Sequence, residues 1–205
     1  MTTKNLLLDL GVVIFDVDYN RTSSSFKELG LSNFDDIYSK IKQDNFFDRF
    51  ETGEMPEAEF RQTVRSHIPH EVTDEQIDNA WNAMLIGISQ STLELLEDLG
   101  KKKRIFLLSN TNIIHIKAFS KIIEKQYGFK KFENLFEKTY YSCNIGLRKP
   151  DVRIFDYVVK ENQLNIPETL FIDDSPQHVE GARKYGLAAL HLHTGTNLHE
   201  LIKNH

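Results

Sequence analysis

Residues 5–22 read NLLLDLGVVIFDVDYNRT, and the fold turns on how the first six are taken. Asn5 leads three leucines, then Asp9, Leu10 and Gly11. A short apolar run without strict alternation reads as a strand covered on both faces, the habit of parallel sheets. A strand over 5–10 puts Asp9 near its carboxyl end. A second apolar run, 12–15, precedes Asp16 and Asp18, so either Asp9 or Asp16 could stand at the mouth of a buried strand.

Four further runs resemble the first: 104–109, 138–142, 169–172 and 188–193. Helical patterns at 113–125, 151–162 and 177–185 separate the later ones, and Gly186 stops the last helix. Strands alternating with helices predict an α/β fold with a doubly wound parallel sheet. The stretch 19–87 departs from this rhythm. It carries helical patterns at 23–28, 35–43, 56–66 and 73–84 and no convincing strand. Residues 52–56, TGEMP, read as a turn feeding a helix with Pro56 in its first turn. The chain therefore divides into a core, 1–18 and 88–205, and a helical insert, 19–87.

Composition narrows the function. Of 205 residues, 40% are hydrophobic, enough for a sizeable core. The apolar runs are far too short to span a membrane, and the first ends in an acid, unlike a signal peptide. Net charge is −5, and the one dense basic patch, 101–104, reads as a solvated turn, so no nucleic-acid partner is expected. The single cysteine, Cys143, cannot form an internal disulfide, which suits the cytoplasm. It reads as a small apolar filler at a strand end. Oligomeric state is not legible.

Ligands of open α/β sheets bind beyond the carboxyl ends of the strands. Asp9 follows the first run, Ser109 and Asn110 the second, a loop with Lys149 and Pro150 the third, Asp173 and Asp174 the fourth. Together they make a coherent set for phosphoryl transfer. A carboxylate can attack phosphorus, and the rest of the work is positioning and charge neutralisation. In that scheme Asp9 is the nucleophile, and Asp9 with Asp174 holds Mg²⁺, a hard cation that takes oxygen ligands. Lys149 offsets negative charge, and the Ser109 hydroxyl with nearby backbone N–H groups binds phosphate oxygens.

With these residues in place the chain resembles the haloacid dehalogenase-like superfamily, in its capped branch. LLLDLG is similar to the first motif, IFLLSNTN to the second, GLRKPDVRIF to the third and LFIDDSP to the fourth, in order and across most of the chain. FETGEMPEAEF looks like a recurrent stretch of that branch's cap. The resemblance implies a Rossmann-like core with an all-helical cap inserted after the first strand. It implies a Mg²⁺-dependent phosphatase of a small phosphorylated metabolite, with sugar phosphates the leading class. It also selects Asp9 over Asp16, which fits the acid often found at the cap entry. Within the acidic pair, Asp174 matches the metal-ligand position, and Asp173 would orient the loop or a metal-bound water. Asn110 joins Ser109 as a phosphate-binding position.

One departure matters. Most phosphatases of the superfamily carry an aspartate two residues after the nucleophile as general acid and base; here that position is Gly11. Its carbonyl can still reach Mg²⁺, but the proton relay, typically worth about 10²–10⁴ in rate, is gone. Asp16, Asp18 or a cap residue would have to replace it. A glycine here resembles a subgroup that includes bacterial enzymes acting on sugar 1-phosphates. A phosphomutase would need both proton transfers, which Gly11 disfavours, and the acidic pair disfavours a metal-free dehalogenase. A degenerate regulatory or phosphoacceptor protein on the same core is the non-enzymatic alternative.

Simpler structural roles compete for several residues. Ser109 could cap a helix, and Asp173 and Asp174 could merely favour a helix dipole. Arg49, among three phenylalanines, reads as packing first and substrate contact second. Trp81 reads as core. The eight histidines are scattered, and His191 with His193 lacks a third metal ligand.

Overall fold

The computed structural model describes residues 3–32, 34 and 45–203. Five parallel strands make the central sheet: β1 (Asn5–Leu8), β4 (Arg104–Ser109), β5 (Lys138–Tyr141), β6 (Thr169–Asp173) and β7 (Ala188–His191), in the order β5-β4-β1-β6-β7. The α/β reading holds, with strand ends moved by a residue or two. Within β1 the leucines alternate between two apolar layers. Leu6 and Leu8 pack with Ile105, Leu107 and Ile172 on one face. Leu7 packs with Phe106, Leu108 and Phe171 on the other, under the helices Val152–Glu161 and Pro176–Tyr185. Both faces are buried, which is why the run lacks polar alternation.

Register decides what meets at the sheet edge. Leu8 is level with Leu107 of β4 and Ile172 of β6. The next residue of each strand, Asp9, Leu108 and Asp173, therefore lines up, and the Asp9 N–H donates to the Ile172 carbonyl at 3.0 Å. Asp9 stands just beyond β1 rather than inside it.

Helices Tyr19–Glu28, Phe46–Glu51, Glu57–Arg65 and Asp74–Asn82 form a separate apolar cluster around Phe26, Phe50, Phe60 and Trp81. Ile114, from the core helix Ile113–Gln126, joins that cluster and seats the helices on the sheet domain. The helix expected at 35–43 lies outside the described residues. Pro56 precedes its helix as the N-cap rather than occupying the first turn. One difference is architectural: β2 (Asp16–Val17) pairs antiparallel with β3 (Leu85–Gly87), so a short ribbon ties the entry and exit of the helical insert. Three residues are too few to show period-two patterning, so 19–87 reads as strand-free from sequence.

Cys143 lies in the helical turn Ser142–Ile145, half-buried, instead of filling a strand end. Its carbonyl marks a close approach of the two parts. A Cβ on Gly53 would lie 2.3 Å from that oxygen, and Gly53 holds φ +75°. Both facts demand glycine. Gly53→Ala is expected to cost at least about 1–3 kcal/mol through overpacking and backbone strain; a thermal melt equal to wild type would refute this.

Candidate active site

The Lys149 side chain is fully buried, and its ammonium spends all three donors. It donates to Asp9 Oδ1 at 2.5 Å, to Asp173 Oδ2 at 2.6 Å and to the Leu108 carbonyl at 2.8 Å. Asp173 is saturated. Its Oδ1 accepts from the Ser175 N–H at 2.8 Å and from His178 Nδ1–H at 3.0 Å. Asp174 contributes a third carboxylate, and one oxygen of each acid lies within 4.8 Å of the others.

Electrostatics separate the acids. Burial pushes the Asp9 carboxyl up to about 7, against the pull of Lys149. Burial also acts on Asp173, but Lys149 and His178 outweigh it and hold that carboxyl below its ordinary range. Asp174 is raised by burial and by the charge on Asp173. For Lys149, burial opposes the ammonium, and the two carboxylates more than compensate, raising it. Asp173 has two cationic or donor neighbours and Asp9 one, so Asp9 bears the repulsion.

Three carboxylates against one ammonium leave two negative charges in excess when all ionise. Hard oxygen donors with that excess fit a divalent cation of the Mg²⁺ type. Asp9 Oδ2 and the Asp174 carboxylate accept no side-chain hydrogen bond among the described residues, so they are free to ligate; Asp173 is not. The Gly11 carbonyl accepts from the Val13 N–H at 2.7 Å and keeps one lone pair. A Cβ at Gly11 would meet nothing closer than Val17 at 3.7 Å, so sterics do not require glycine there.

The remaining expected positions also gather at this edge. Ser109, buried at the end of β4, does not cap the following helix; Asn112 does, accepting from the His115 N–H. Asn110 also braces Lys149. Its side chain donates to the Lys149 carbonyl at 2.8 Å and accepts from the Lys149 N–H at 2.9 Å, clamping that residue. Its Nδ2 keeps a second N–H for an anion, beside its backbone N–H. Asp18 caps the helix Tyr19–Glu28, and Asp16 lies exposed in the ribbon opposite Gly87. Arg49 pairs with Glu59 on the surface, and Trp81 is core as expected. His191 donates to the Asp174 carbonyl at 2.8 Å, a structural use.

A cavity of about 140 Å³ opens between sheet edge and helices, its walls including Gly11, Ser109, Asn110, Glu51, Trp81 and His115. Sequence reading missed Glu51, Arg148, His115 and His178. The Glu51 carboxylate accepts from Arg148 at 2.9 and 2.8 Å, and Asp48 accepts from the same guanidinium at 2.7 Å. His115 donates from Nδ1 to Asn82, and burial pushes it down to about 3, so it stays neutral. The buried Trp81 indole N–H has no partner among the described residues. Their signals were faint: Arg148 and Glu51 lie inside quoted motifs, but only folding pairs them.

Known proteins resemble the chain throughout. D-ribitol-5-phosphate phosphatase of Bacteroides thetaiotaomicron is 28% identical over 194 residues, covering 95% of this chain and 94% of its own. A HAD family enzyme from the same organism, solved with magnesium and inorganic phosphate, is 37% identical with TM-score 0.85, over 97% of this chain and 98% of that one. A predicted HAD-like family hydrolase from Porphyromonas gingivalis is 28% identical with TM-score 0.86, over 100% and 98%. Residues 35–186 match the haloacid dehalogenase-like hydrolase family, and with that match added to the fold and the acid cluster, the chain belongs to that family.

Proposed function

We propose that this chain is a Mg²⁺-dependent phosphatase of a small phosphorylated polyol or sugar, working through an aspartyl-phosphate on Asp9. The observation that carries it is the Lys149 ammonium shared by Asp9 and Asp173 with Asp174 alongside. The Asp9 carboxylate attacks phosphorus, the bond to the leaving oxygen breaks, and water then releases phosphate. Lys149 balances charge on Asp9 and the phosphoryl group. The Ser109 hydroxyl and the N–H groups at the start of the helix Ile113–Gln126 bind phosphoryl oxygens. Asp9, Asp174 and the Gly11 carbonyl would hold Mg²⁺, which when bound supplies charge neutralisation at the phosphoryl group. Asp173 and Asn110 hold Lys149 in place.

The division into a core, 1–18 and 88–205, and a cap, 19–87, belongs to this reading, with the cap selecting the leaving group. The cavity is smaller than a drug-sized pocket. The neutral His115 on its wall keeps an Nε2 lone pair that suits a substrate hydroxyl. Mg²⁺ and phosphate in one relative, and polyol phosphate in the name of another, support the same class. Among the described residues no helix is long and apolar enough to cross a membrane; a cytoplasmic setting without nucleic-acid partners is the finer proposal.

Phosphate release from a panel of polyol and sugar phosphates is the test. Turnover should require Mg²⁺, and Asp174→Asn should shift half-saturation by Mg²⁺ upward at least tenfold, about 1.4 kcal/mol. Isomerisation without phosphate release would favour a mutase, and stable labelling without turnover a phosphoacceptor.

A further inference from the structure

The reaction needs a proton for its leaving group, and Gly11 cannot give one. Asp18 caps a helix through Oδ1, Asp16 is exposed in the ribbon, and neither lines the cavity beside Gly11. One carboxyl lines the cavity beside Gly11, Ser109 and Asn110. Glu51 lies at the end of the helix Phe46–Glu51 and lines the same wall set as Gly11, Ser109 and Asn110. Its side chain keeps 26% exposure, toward that cavity. The Arg148 hydrogen bond and its closest ion contact both fall on Oε2; Oε1 has no hydrogen-bond partner among the described residues. One oxygen is anchored, and the other is open.

We propose that Glu51, delivered by the cap and anchored by Arg148, is the general acid and base that stands in for the missing aspartate. The inference rests on the phosphatase reading above. In the first step Asp9 forms a bond to phosphorus as the phosphorus–oxygen bond of the leaving group breaks. Glu51 gives its proton to that departing oxygen, yielding the alcohol and the Glu51 carboxylate. In the second step the carboxylate takes a proton from water as the water oxygen attacks phosphorus. The Asp9 oxygen–phosphorus bond breaks, phosphate leaves, and Glu51 is again protonated.

The surroundings raise the Glu51 carboxyl above its ordinary range. Burial raises the Glu51 carboxyl, Arg148 opposes that, and Asp48 adds to it; His178 also lowers it, from the core side. Cys143, the remaining titratable neighbour, is itself pushed up to about 11 by burial and stays a neutral thiol. The Gly53 close approach to the Cys143 carbonyl pins the turn that follows Glu51, which fixes the acid relative to the core.

The test is a series of aryl phosphates from p-nitrophenyl to unsubstituted phenyl, assayed with Mg²⁺ on wild type and E51Q. A lost proton donor matters most where the leaving group is poor. E51Q should therefore lose about 10²-fold or more in kcat/KM on phenyl phosphate but under ~10-fold on p-nitrophenyl phosphate, with E51D recovering part of the loss. A melt of E51Q near wild type would tie the change to chemistry, since glutamine keeps the Arg148 bond. An equal loss across the series would overturn the proposal and make Glu51 a binding residue. Wild type that releases phosphate from no aryl, polyol or sugar phosphate would instead overturn the phosphatase reading itself.

Discussion

Asp9→Asn is expected to lower kcat by about 10⁶-fold, the scale seen when a covalent nucleophile is removed, while raising the stability of the metal-free protein at pH 8. The second half follows from the pKa. The folded carboxyl sits at about 7, above its ordinary 3.8. Below the lower value both folded and unfolded states are protonated, and no penalty exists. Between the two values the unfolded chain gives up its proton more readily, so stability falls as pH rises and the whole penalty is present above 7. Asparagine mimics the protonated acid and still accepts from Lys149. It should relieve about 2–4 kcal/mol at pH 8 and almost nothing at pH 3.5. Denaturant melts at both pH values check this; an Asp9→Asn protein less stable than wild type at pH 8 would contradict the charge balance drawn here. The combination is the stability–activity trade expected of a strained active site.

Lys149→Met carries the second large effect, in the opposite direction for stability. The substitution leaves Asp9, Asp173 and Asp174 grouped with no buried ammonium, and breaking such a pair costs about 3–5 kcal/mol. For a chain of this length that lowers the melting temperature by about 6–20 °C. The loss should be largest at pH 8 and shrink toward pH 5, because without Lys149 both Asp9 and Asp173 shift up and shed their charge earlier. Turnover should fall at least ~10²–10³-fold with the loss of charge stabilisation at the phosphoryl group. A melt that is flat with pH in the variant would mean that Lys149 is not the counter-charge of this cluster.

Much of this arrangement is legible in the sequence because it is carried by strands. A buried parallel strand shows as an apolar run, and the residue after it is at the ligand edge; Asp9, Ser109, Asp173 and Asp174 were all found that way. Lys149 stands in the loop after the third run and also in its motif. What escaped is whatever depends on two elements meeting. Arg148 pairs with Glu51 across 97 positions, and nothing local in either stretch announces the other. His178 looked like one of eight scattered histidines, although its place in the first turn after Asp173 puts Nδ1 on that carboxylate. Asn110 reads as an anion contact from its strand-end place and its motif, and only the fold reveals that Lys149's main chain takes the oxygen and one N–H of its amide.

Arg148 and Lys149 are consecutive, yet they face different masters: one guanidinium grips Asp48 and Glu51 from the inserted helices, and the next ammonium neutralises Asp9. Lifting the helices off the sheet means rupturing three short ion contacts one peptide unit away from the ammonium that holds Asp9. The contacts that hold the inserted helices to the sheet and the charge that balances Asp9 therefore sit on adjacent residues of one loop.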